Sequence, residues 1–108
     1  MRVWLSYDLG VRGEYDSFYY WLDEHNALEC GDSIATFLWD YNEEFDDISN
    51  LKKEIKESLQ CDIKFKKTDR VYLIFQNERG HSTGSFIIGK RKSSPWEGYS
   101  NVSSEDDV

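Results

Sequence analysis

The 108-residue sequence predicts an α+β fold of ferredoxin-like type, β-α-β-β-α-β with one added C-terminal β-strand, and three observations carry that expectation. Apolar residues alternate at the start, shift to helical spacing and then return to strand-like runs, and the cycle occurs twice. The length suits one core, since dividing the chain would leave each half too little interior to be stable. Four Trp, seven Tyr and six Phe bring large rings to a chain that is only 39% hydrophobic.

Val3, Leu5 and Tyr7 alternate with Trp4, Ser6 and Asp8, so the first strand throws two sets of side chains to opposite faces and ends on Asp8. Gly10-Val11-Arg12-Gly13 is a turn. Tyr15, Phe18, Tyr19 and Leu22 then fall at i, i+3, i+4 and i+7, an amphipathic helix ending near His25-Asn26. Ala27 to Cys30 and Ser33 to Tyr41 read as a hairpin about the turn signal Gly31-Asp32. An acidic connection from Asn42 leads to Asp47, the N-cap of a second helix with Ile48, Leu51, Ile55 and Leu59 on one face. Lys64 to Asp69 is a basic loop before Arg70-Val71-Tyr72-Leu73-Ile74-Phe75, a central strand rich in β-branched and aromatic residues. Asn77-Glu78-Arg79-Gly80 turns the chain into a last strand, Ser85 to Gly89. Residues 1–92 thus form a single domain, and 93–108 an extension whose acidic tail, Ser103 to Asp107, is expected to be flexible.

Right-handed crossings place both helices on one sheet face. Trp4, Ser6 and Asp8 then point to the other, together with either Phe37, Trp39 and Tyr41 or Ile34, Thr36 and Leu38. So apolar a face is rarely left to water, and a second copy in a two-fold homodimer covers it most economically.

Net charge is −8, unevenly distributed: residues 1–50 hold twelve acidic and two basic side chains, whereas 51–92 hold eleven basic and five acidic. RNA or DNA can therefore bind only at a local basic surface, for which Lys64, Lys66, Lys67, Arg70, Lys90, Arg91 and Lys92 are the candidates, with Phe65 and Trp96 placed to stack on bases. The acidic half supports an alternative, a non-catalytic regulator or inhibitor that recruits a basic protein partner. No apolar run approaches the roughly 20 residues of a membrane span, and no secretory leader is expected. Cys30 and Cys61 lack metal-site spacing and are expected to be reduced thiols of a cytoplasmic protein. His25 and His81 have no partner at a spacing that defines a metal site or a nucleophile and its base.

Ser6-Tyr7-Asp8, the Gly-containing loop after it and the aromatic-striped helix from Tyr15 resemble the opening of the small CRISPR-associated adaptation nucleases and the virulence-associated protein D ribonucleases. The resemblance extends through the element order of residues 2–76, but not to the 89–99 segment. It implies that Asp8 holds Mg²⁺ or Mn²⁺ across a dimer axis, opposite the same residue of its mate. That arrangement would suit a metal-dependent endonuclease of a phage-defence or toxin system, since the ion can activate water and neutralise phosphate charge.

Overall fold

The computed structural model describes residues 1–42, 47–77 and 79–101. The acidic connection at 43–46, Glu78 of the second turn and the acidic tail from 102 onward lie outside them. Strand β1 (Arg2–Asp8) leads through the 9–14 loop to helix α1 (Tyr15–Glu24), and the hairpin of β2 (Leu28–Gly31) and β3 (Ile34–Leu38) follows. Helix α2 (Ile48–Asp62) then crosses back to β4 (Arg70–Gln76), which turns into β5 (Ser82–Ile88). The strands form one antiparallel sheet in the order β2-β3-β1-β4-β5, so the chain is α+β with β1 at the centre of a five-stranded sheet.

Register assigns each face. Val3 lies between Phe37 and Phe75, and Leu5 between Ala35 and Leu73, while Tyr7 pairs with Val71. Apart from half-buried Tyr7, all of these are buried, beneath Phe18, Trp21 and Leu22 of α1 and Leu51, Ile55 and Leu59 of α2. Both helices therefore cover the same face. Asp47 caps α2 by accepting the Ser49 N–H at 3.2 Å. Trp21 Nε1 donates to Ser58 Oγ at 3.0 Å, giving the polar edge of a fully buried indole its partner and tying the helices together.

Three elements differ from the sequence expectation. The buried stripe of α1 is Phe18, Trp21 and Leu22, whereas Tyr19 is half exposed. The wide indole of Trp21 fills the space above Phe37, with ring centroids 5.4 Å apart, and turns the helix accordingly. Strand β3 stops at Leu38 instead of reaching Tyr41, although Trp39 still exchanges backbone hydrogen bonds with Met1. Strand β5 begins at Ser82 instead of Ser85, since Gln76, Phe75 and Ile74 extend the ladder to Ser82, Thr83 and Gly84.

The second face carries Trp4, Ser6 and Asp8 of β1 with Ile34, Thr36 and Leu38 of β3, and Phe37 belongs to the core. One transverse row runs Leu28, Thr36, Trp4, Ile74 and Gly84, and the next Ile34, Ser6, Tyr72 and Phe86. Leu28 and Leu38 are largely exposed there.

Candidate nucleic-acid interface

Asp8 and Arg70 are register partners on β1 and β4, so both side chains emerge at one end of the open face. Arg70 Nη2 donates to Asp8 Oδ2 at 2.6 Å, with the carboxylate 59% and the guanidinium side chain 27% exposed. A pair this open orders Arg70 more than it stabilises the fold. Arg70 Nε is buried with no acceptor among the described residues. Among the described residues, no group of three His, Cys, Asp or Glu side chains gathers, at Asp8 or elsewhere.

The turn-capping carboxylate is Asp69, which the sequence reading left inside a basic loop. It is 1% exposed, and it accepts the Gly10 N–H on Oδ1 and the Lys66 N–H on Oδ2, both at 2.7 Å. One buried side chain thereby pins the 9–14 loop to the loop before β4. Gly10 permits the approach, since a Cβ there would lie 2.5 Å from Thr68 Oγ1. A hydrogen-bonding residue followed by a strand is the only local signal Asp69 offers, and it is a weak one.

The seven candidate cations are distributed over one end of the sheet. Lys64, Lys66 and Lys67 stand on the loop before β4, and their contacts run to the 9–14 side: the Lys64 N–H donates to Glu14 Oε2 at 3.2 Å, and the Lys66 ammonium to the Arg12 carbonyl. Lys90, Arg91 and Lys92 leave β5 just past Ile88, whose register partner is Val71, and so begin beside Arg70. Arg70, Arg91 and Lys92 line one hollow of about 710 Å³ with Tyr72, Phe86 and Trp96. Of the two proposed stacking residues, Trp96 is 71% exposed at this hollow. Phe65 is partly buried instead, packed against the core with its ring 6.4 Å from Phe18, two residues after buried Ile63.

His25 stacks on Trp21 at 3.8 Å and holds its Nδ1 2.7 Å from the Trp21 carbonyl, an aromatic role at the end of α1. Cys30 and Cys61 are exposed and unbridged. No described helix is long and apolar enough to cross a membrane. Neither a family model, a curated protein nor a solved structure matches the chain.

Proposed function

We propose that this protein is a homodimer of ferredoxin-like type that binds the backbone of RNA or DNA at the basic end of its sheet. The observation that carries the reading is the convergence of Arg70, Arg91 and Lys92 on one hollow in a chain of net charge −8. A cationic concentration against the overall charge is the local surface that a polyanion requires. In favour of the ferredoxin-like assignment, β1 lies between β3 and β4 with both helices on one face. In favour of the dimer, Leu28, Trp4, Ile34 and Leu38 form an apolar half-face that a two-fold axis would make its own complement.

The test is fluorescence anisotropy with labelled RNA and DNA over a salt series. Affinity should fall steeply with salt, and a Lys90→Glu, Arg91→Glu, Lys92→Glu triple variant should lose it. Affinity that ignores both salt and the charge reversal would sink the assignment.

A second reading, endonuclease activity with Mg²⁺ or Mn²⁺, is favoured by the exposed position of the Asp8 carboxylate at a strand end, where Arg70 engages Oδ2. Asp8 and its mate across the dimer would hold the ion, which would supply an activated water. Cleavage that appears with either ion and disappears in Asp8→Asn would support it. Cleavage unaffected by that substitution, or none with either ion, would remove it.

A further inference from the structure

We propose that the hollow between β4, β5 and the 91–96 segment is a pocket for one unpaired nucleotide of a single strand. The inference rests on the basic end being a nucleic-acid interface, and it specifies what that interface recognises.

Its floor is aromatic for a reason visible in the backbone. Tyr72 lies over Gly84, where a Cβ would come within 2.5 Å of the ring and 2.9 Å of the hydroxyl, so only glycine lets the ring lie across β5. Phe86 meets Tyr72 edge-on, with centroids 4.9 Å apart and planes at 81°. Trp96 lines the hollow as a wall and keeps most of its surface free. Every base offers a π-face, so such a floor and wall accept a base without reading its edge.

The lip supplies the phosphate contact. Arg70, Arg91 and Lys92 line the hollow together with Ser93 and Ser94, and no carboxylate among the described residues lines it. Asp8 orients Arg70 from the side through Nη2, and Arg70 contributes its charge to the lining of the hollow. A volume of about 710 Å³ lies within the range of small-ligand sites. A paired base cannot enter without leaving its stack, which selects single strands over duplex.

The experiment uses the full chain, fluorescence anisotropy and a labelled single strand of about twelve nucleotides. A duplex of the same sequence is the comparison, and adenosine 5′-monophosphate the competitor. The single strand should bind at least about tenfold more tightly than the duplex. Trp96→Ala should weaken single-strand binding about tenfold and leave duplex binding unchanged. Because Trp96 is exposed, an unchanged far-ultraviolet spectrum will confirm that the variant is folded. Equal affinity for both forms, or indifference to Trp96→Ala, overturns the pocket while leaving the basic-end interface standing. Absence of binding to either form overturns both. Competition by the mononucleotide at the oligonucleotide's own concentration assigns the hollow to free nucleotides and overturns the single-strand assignment.

Discussion

At the scale of single residues, two carboxylates one register position from each other's neighbours take opposite parts. Asp8 is open to solvent and orders Arg70, whereas Asp69 is buried and satisfies two backbone donors. Removing Asp69 leaves the Gly10 and Lys66 N–H groups without their acceptor, so Asp69→Ala should cost about 3 kcal/mol in urea unfolding. A loss no larger than that of a surface substitution would show that the two loops hold together without it. Tyr7 provides a pH signature. Burial, and then the neighbouring Tyr19, raise its phenol above the ordinary value of 10.0. The folded state favours the neutral ring, so this contribution is complete below pH 10 and is lost as pH rises through the raised folded value. Tyr7→Phe should therefore lose less stability than the parent between about pH 9 and pH 11, read from urea midpoints. Identical losses would exclude Tyr7 as a source of the alkaline decline.

At the scale of elements, the ladder overrides local preference. Ser82 and Gly84 are poor strand formers or turn-like in isolation, yet β4 offers them partners and β5 extends to include them. Gly84 then does something no other residue could, since its missing side chain is the space in which the Tyr72 ring lies. Strand propensity alone would rank Val above Gly at this position. The packing predicts the reverse: Gly84→Val should destabilise by about 1–3 kcal/mol in urea, because the ring must move. An equal or raised midpoint would mean that Tyr72 relocates freely, and the aromatic floor would lose its physical basis. Helix α1 makes the same point, since its spacing marked Tyr19 as core but the indole of Trp21 occupies that role.

At the scale of the whole molecule, the sheet has one face committed to the helices and one divided in two. The β2-β3-β1 half presents Leu28, Ile34, Leu38 and Trp4, and the β4-β5 half presents Arg70, Tyr72 and Phe86 beneath the 91–96 segment. The proposed dimer on the first half would leave the second accessible, so self-association and nucleic-acid binding would not compete. Sedimentation at about 10 micromolar should show a dimer, and Leu38→Lys should shift it to monomer, since a charge on each copy would meet its mate near the axis. A monomeric parent chain would withdraw the second copy as the cover of this half-face.

What the sequence alone determined is local and periodic: the two-faced character of β1, the apolar side of α2, the Asp47 cap and the interior position of β4. Those features depend on residues a few positions apart, where spacing and side-chain chemistry suffice. The tertiary structure decided which of two sets on β3 faces outward, the pairing of Asp8 with a residue 62 positions away, the burial of Asp69, the packing of Phe65 against the core, and the hollow shared by Arg70 and Arg91. Each rests on strand register, and a slip of one residue would reverse every face. The first strand's Asp8 was visible as a chemical group from the start, but its partner was not, because only the sheet brings β4 alongside.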